Sequence, residues 1–277
     1  MGEPLGLIAG NGRFPFLAAA GARRAGRRVV ALAIREETAP ELEAEVDELH
    51  WVGLGELGRA IDVLHRAGAR EALMAGQVQH RQIFSDVVPD LKLVGVLARL
   101  ALQNTDSLIG AVADALAREG ITLLPSVAFL EDQLATAGAM TRRRPRRGER
   151  ADLAYGERVA RTLARMDLGQ TAVVKKRAAV ALEAMEGTDE VIRRAGRLAG
   201  AGTTVVKVSK PGQDMRFDVP VVGKGTLEAM AEARASVLAL DAGRTLMIER
   251  PAFLEEADAA GVAVWGLDPG DGEGGAE

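Results

Sequence analysis

Apolar residues along this chain alternate between short continuous runs and longer stretches with a helical period. Leu5–Ala9 is such a run and ends in Gly10-Asn11-Gly12, which predicts a strand and then a tight turn. Pro15 opens a helical stretch that reaches Gly26, because proline is tolerated in a first helical turn. Arg28–Ile34, Glu48–Val52 and Glu71–Ala75 predict further strands, and Leu57–Ala67 a helix. Helices over Leu91–Leu102 and Ser107–Glu119 and a strand over Ile121–Leu124 follow. Strands alternating with helices of about 10–15 residues indicate βαβ units and a parallel sheet.

The rhythm breaks at Met140–Arg150, a run rich in arginine with Pro145 and Gly148 and no apolar period. This predicts an exposed connector. From Ala151 the pattern resumes. Helices are expected over Ala151–Asp167, Thr188–Leu198, Gly225–Ala235 and Pro251–Ala260. Ala172–Lys175 and Val180–Glu183 form a strand pair around Lys176-Arg177. Thr204–Val208, Val237–Ala239, Thr245–Ile248 and Val262–Gly266 are further strands. The expected layout is an N-terminal domain over 1–139, a basic linker over 140–150, a C-terminal α/β domain over 151–267 and a disordered acidic tail over 268–277.

Composition narrows the function. The chain has 277 residues, enough for two modest domains, and because it is 48% hydrophobic yet only 3% aromatic its core must be built mostly from Ala, Leu and Val. A net charge of −4 argues against broad nucleic-acid binding, which needs a basic surface. Cysteine is absent, which removes disulfides, thiolate metal sites and cysteine nucleophiles. No signal-peptide pattern opens the chain, and no apolar run approaches the roughly 18–20 residues of a membrane span.

Several polar groups stand where chemistry is done. Gly10, Asn11, Gly12 and Arg13 lie between a strand and a helix, where backbone N–H groups attract anions. The dinucleotide fingerprint is incomplete, because Pro15 replaces its third glycine and Glu36 and Glu37 only approximate its acidic residue. Gln77 follows the carboxyl end of a parallel strand, the ligand side of open α/β sheets. Gln103-Asn104-Thr105-Asp106 reads as a helix cap. Glu186-Gly187-Thr188-Asp189 opens a helix that Thr188 or Asp189 caps, with Lys175 on the preceding strand pair. His50, His65 and His80 lack metal-ligand spacing.

The densest constellation runs from Lys207 to Pro220 and contains Lys210, Gln213, Asp214, Arg216 and Asp218. If extended, Asp214, Arg216 and Asp218 share one face, with the carboxylates roughly 13 Å apart. That spacing favours one carboxylate on a metal and the other on Arg216 or a second site. Hard oxygen donors suit Mg²⁺, and Lys and Arg stabilise charge on phosphates. The plainer account is a solvated edge strand with internal ion pairs.

Three blocks together resemble the LpxI family. They are Gly6–Pro15, Glu186–Asp189 with Lys175, and Val206–Pro220. The resemblance spans roughly Pro4 to Leu267. It implies an α/β protein with a Rossmann-like N-terminal domain and a second α/β domain with a mixed sheet. It further implies a cytoplasmic enzyme that hydrolyses UDP-2,3-diacylglucosamine to UMP and 2,3-diacylglucosamine 1-phosphate in lipid A synthesis. Water attacks the α-phosphorus, and Mg²⁺ or another hard divalent cation assists. An essential aspartate lies in the long block, with Asp218 favoured and Asp214 its rival for the catalytic and metal roles. Lys210, Arg216 and Lys175 are expected to hold phosphates, and Gly10, Asn11, Gly12, Arg13, Gln77, Thr188 and Gln213 to bind substrate. The implied partners are a lipid-linked nucleotide sugar, the inner-membrane surface as a peripheral contact and a second copy in a homodimer, with no nucleic acid. The rival expectations are a non-catalytic carrier of a diacylated sugar phosphate and a nicotinamide-dependent sugar oxidoreductase.

Overall fold

The computed structural model describes residues 2–78, 89–97 and 105–268. The end of the expected Leu91–Leu102 helix, the Gln103-Asn104 half of the cap, His80 and the tail from 269 lie outside the described residues. The chain forms two compact units, one of Met1–Leu130 with Asp214–Phe217, the other of Glu131–Gln213 with Asp218–Glu277.

The first unit is built on a five-stranded parallel sheet of β1 (Pro4–Ala9), β2 (Arg28–Ile34), β3 (Glu48–Val52), β4 (Glu71–Ala75) and β5 (Thr122–Leu123). Its order is β3-β2-β1-β4-β5, so the chain changes direction across the sheet between β1 and β4. That is the Rossmann-like order expected, and it opens a crevice at the carboxyl ends of those two strands. Val29 to Ala33 of β2 are fully buried, as strands covered on both faces must be. Helices α1 (Phe14–Arg24), α2 (Leu57–Ala67), α3 (Leu91–Leu97) and α4 (Thr105–Arg118) belong to this unit. Proline opens α1 as the sequence predicts, and left-handed Gly68 closes α2.

The second unit has a mixed six-stranded sheet in the order β6-β13-β11-β9-β7-β8. Strands β9 (Thr204–Lys207), β11 (Val237–Asp241) and β13 (Ala263–Leu267) run parallel. Strands β6 (Gly138–Ala139), β7 (Thr171–Lys175) and β8 (Ala178–Leu182) pair antiparallel to their neighbours. A separate parallel pair joins β10 (Val221–Val222) to β12 (Leu246–Met247). Helix α5 (Arg147–Arg165) lays Leu153, Ala160 and Ala164 on one face of the sheet, against Ala172, Val206 and Ala239. Helices α6 (Thr188–Ala199), α7 (Lys224–Ala233) and α8 (Arg250–Ala259) cover the other, where Ile192, Met230 and Phe253 meet Val173, Val205 and Leu238.

The expected linker over 140–150 is not one. Its backbone and side chains are stitched into the second unit, which begins at Glu131. The Met140 amide donates to the Val264 carbonyl, and the Val264 amide to the Thr141 hydroxyl. The Arg142 amide donates to Asp258 at 2.8 Å, and the Arg143 guanidinium donates to Glu149 and to the Ser236 carbonyl. The arginines look solvated in sequence because their partners lie far along the chain.

Asp241, at the end of β11, is fully buried and receives two 2.7 Å bonds from the Arg161 guanidinium of α5 and one from the Ser209 amide. Removing Arg161 leaves that carboxylate buried without its cation. Arg161→Leu is expected to destabilise the protein by about 3 kcal/mol, the low end for a broken buried pair, because Arg161 keeps one side in water. Urea denaturation of wild type and variant measures it; an unchanged midpoint would overturn the expectation.

Candidate functional site

The turn after β1 brings Gly10, Asn11 and Gln77 together. The Gly10 amide donates to the Ala75 carbonyl and the Asn11 amide to the Gln77 carbonyl, both at 2.8 Å. A Cβ on Gly10 would lie 2.4 Å from the Gln77 oxygen, so only glycine permits this approach. Asn11 also donates from Nδ2 to Glu37, which is buried after β2. Beyond Gly12, the Arg13 guanidinium lies 4.9 Å over the Phe16 ring. These residues follow the carboxyl ends of β1 and β4, where the strand order reverses. Two of the turn's amides are already satisfied by β4 and its loop, however, so they are not offered to a phosphate as a dinucleotide loop offers its own.

A denser site forms in the second unit at the carboxyl end of β9. Lys207 ends that strand, and antiparallel pairing sets Thr171 of β7 opposite it. Gly187, at φ 81°, is the N-cap of α6, and no side chain caps the helix. The expected cap, Thr188, therefore has another use. Its hydroxyl donates to Glu183 at 2.9 Å and accepts from Lys207 Nζ at 2.7 Å, with the Thr171 hydroxyl 3.3 Å away. Glu183 accepts the Gln170 amide on its other oxygen. Asp189 accepts the Thr226 hydroxyl at 3.0 Å, which joins the first turns of α6 and α7. Ser209 Oγ is buried close by along the chain and makes no hydrogen bond among the described residues.

Lys207 is 9% exposed. Burial pushes its pKa down, and the carboxylates of Glu183, Asp189 and Asp218 work against that shift. An amine, three hydroxyls and the N-termini of two helices thus face three acidic groups. The amine and helix ends can hold phosphoryl oxygens, and a carboxylate can take or orient a proton.

The other expected site residues lie elsewhere. Lys175 donates to the Ala199 carbonyl at 2.6 Å and closes the far end of α6, because β7 runs opposite to β9. Lys210 Nζ pairs with Asp167 at 2.7 Å, and the Lys210 amide donates to Gln213 Oε1, which ties the loop after β9. The expected extended stretch over 214–219 is instead a turn. The Phe217 amide donates to the Asp214 carbonyl, and the Arg216 amide donates to the Asp214 carboxylate. The Arg216 guanidinium adds bonds of 2.6, 2.9 and 3.1 Å to the same carboxylate. That guanidinium holds the Asp214 carboxyl below the usual carboxylate range. Asp214 and Arg216 belong to the first unit and Asp218 to the second, so the three charges do not share one strand face.

Glu183, Thr171 and Thr226 were not singled out by sequence reasoning, and Asp189 was expected only as a helix cap. The usable signal was Lys207 itself, a lone charge inside Val205-Val206-Lys207-Val208, since lysine is almost never buried without partners. Among the described residues, no group of three or more His, Asp or Glu side chains is arranged to hold a metal ion. Glu183 and Asp189 already accept hydrogen bonds. The donors therefore do not fit an all-protein cage. They fit a hard cation held by one carboxylate and by phosphates of a ligand, the common Mg²⁺ arrangement.

Because burial lowers the Lys207 pKa, the unfolded chain binds the extra proton over a pH interval that ends near the ordinary value of 10.5. Stability due to this group therefore rises with pH across that interval, by at most about 1.4 kcal/mol per pH unit for one proton. Lys207→Met is expected to lack this rise. Urea denaturation of both proteins from neutral pH to 10.5 tests it, and parallel curves would count against a buried amine.

Comparison with known proteins agrees with this architecture. Residues 4–133 match the LpxI N-terminal domain and residues 136–265 the LpxI C-terminal domain. A Caulobacter vibrioides protein named UDP-2,3-diacylglucosamine pyrophosphatase LpxI is 32% identical over 276 residues, covering 96% of this chain and 98% of that protein. With both halves matched in order and almost end to end, the chain belongs to the LpxI family.

Proposed function

We propose that this protein hydrolyses the pyrophosphate of UDP-2,3-diacylglucosamine in lipid A synthesis, releasing UMP and 2,3-diacylglucosamine 1-phosphate. The full-length likeness to the Caulobacter protein of that name supports the substrate. The observation that carries the chemistry is the buried Lys207 amine bonded to Thr188 at the start of α6, with Asp218 among the carboxylates facing it.

In this reading the starts of α6 and α7, which no side chain caps, receive phosphoryl oxygens. Lys207 stabilises the negative charge that grows on the departing phosphate as the P–O bond breaks. It is pre-positioned by Thr188, which Glu183 in turn orients. Asp218 orients the attacking water at the α-phosphorus and accepts its proton. Asp218 would hold Mg²⁺ together with the substrate's phosphates, and the cation would supply Lewis-acid polarisation of a phosphoryl oxygen. Asp214 has a structural part, since Arg216 engages both of its oxygens. Gly10, Asn11, Gln77 and Arg13 remain candidates for contacts with substrate at the crevice of the first unit. No described helix is long and apolar enough to cross a membrane; the membrane surface and a second copy stay proposed partners.

Asp218→Asn is expected to keep the fold and lower kcat by about 10²–10⁴-fold, the usual worth of a positioned base. Asp214→Asn is expected to cost about 1 kcal/mol of stability or less, as for an ion pair partly open to water, and to spare most of the turnover. UMP release from purified protein, with and without Mg²⁺, measures both. In ¹⁸O water the label should enter UMP. Label in the sugar phosphate would reverse the assignment of the attacked phosphorus, and tight binding without release would favour a carrier.

A further inference from the structure

Ser209 holds its backbone tightly and its side chain not at all. Its amide donates to Asp241 at 2.7 Å, the same buried carboxylate that the Arg161 guanidinium grips. Its hydroxyl is the opposite case. The residue is 5% exposed, and Oγ makes no hydrogen bond among the described residues. A buried hydroxyl without a partner is unfavourable, and alanine in its place would avoid that cost. Stability therefore gives no reason for a serine here.

The direction of the hydroxyl follows from the strand. The Val208 amide donates to the Gln170 carbonyl, so the pairing of β9 with β7 continues past Lys207. The Ser209 amide turns to the opposite side, where the Asp241 side chain prolongs the pairing with β11. The chain is thus still extended at 209, and its side chains alternate between faces. Val206 and Val208 pack on the face under α5, and Val205 on the face covered by α6 and α7. Lys207 and Ser209 take the latter face, about 6–7 Å apart along the strand. Ser209 is the further of the two toward the carboxyl end of β9, where Lys207 meets Thr188 at the start of α6. A second donor belongs to the same loop. Gln213 Nε2 is buried without a partner, its Oε1 being held by the Lys210 amide.

We infer that Ser209 is a further substrate contact, its hydroxyl donating to a phosphoryl oxygen of the pyrophosphate beside Lys207. The inference rests on the proposed activity and adds a residue to it. A phosphoryl oxygen carries charge, and a hydrogen bond to it is roughly twice as strong as one between neutral groups. The contact is preorganised, because the Asp241 carboxylate fixes the backbone of Ser209 before a ligand arrives. A serine bonded within the fold would first have to break that bond; this one has none to break.

Ser209→Ala removes the hydroxyl and introduces nothing larger. Without ligand its thermal melt should match or exceed that of wild type, because no internal hydrogen bond is lost. Its kcat/KM for UMP release from UDP-2,3-diacylglucosamine should fall about 10–100-fold, the worth of a hydrogen bond to a charged group. Ser236→Ala is the control. That hydroxyl donates to Glu149 at 2.9 Å, just before β11 and at the other end of the sheet, so its loss should lower the melting temperature and spare turnover. A lower melting temperature for unliganded Ser209→Ala overturns the inference, since the hydroxyl would then belong to the fold. An equal loss of turnover in Ser236→Ala overturns it too. Unchanged kcat/KM in Ser209→Ala beside a wild type that hydrolyses the substrate overturns the contact and leaves the activity standing. Failure of wild type to release UMP overturns the activity and the inference with it.

Discussion

The second unit is organised by the need to bury one amine. Lys207 lies between Val206 and Val208, both fully buried, in a strand flanked on both sides by other strands. A lone ammonium there would cost several kcal/mol, and three carboxylates reach it from separate parts of the chain. Glu183 comes from the end of β8, Asp189 from the first turn of α6, and Asp218 from the loop before β10. Gly187 makes this work at α6. With glycine as the N-cap, the Thr188 hydroxyl is turned to Lys207 and Glu183 instead of to its own helix. The helix then keeps its first amides uncapped by side chains beside a buried amine, a combination that suits a ligand with more than one phosphate.

The first unit was readable because each of its strands is punctuated. Buried parallel strands give continuous apolar runs, and Gly10, Pro15 and Gly68 mark where strand or helix ends. The second unit was readable in its elements and less so in its site. Lys175 and Thr188 belong to neighbouring blocks of sequence, which suggested one cluster. A single antiparallel strand separates them: β7 starts at the Lys207 end of the sheet and finishes at the other, so Thr171 is in the site and Lys175 is not. Strand direction inside a mixed sheet has no local signature. The basic run failed for a related reason, since what fixes Met140–Arg143 is a set of groups on β13, α8 and just before β11.

The two aspartates show how a period of two can mislead. Asp214-Met215-Arg216-Phe217-Asp218-Val219 alternates charge and apolar side chains as an edge strand does. Short acidic side chains, however, compete for backbone amides. Asp214 takes the Arg216 amide and its guanidinium, and the chain closes into a turn. Phe217 then packs with the apolar core of the first unit, and the Ser126 amide and hydroxyl bond the carbonyls of Met215 and Arg216. Asp218 is the next residue and returns to the second unit. Four residues apart in sequence, the carboxylates have different work: one fixes a turn, the other contributes charge beside Lys207.

An exposed apolar edge is ordinarily selected against, because strand β8 with Leu182 uncovered invites aggregation. Proteins usually blunt such an edge with charge or proline. Here the residue after Leu182 is a glutamate, but Glu183 is turned inward to Thr188 and the Gln170 amide and does not guard the edge. The loop from α5 to β7 could likewise have carried polar residues at 166 and 168, and it carries methionine and leucine. Stability alone does not ask for either choice.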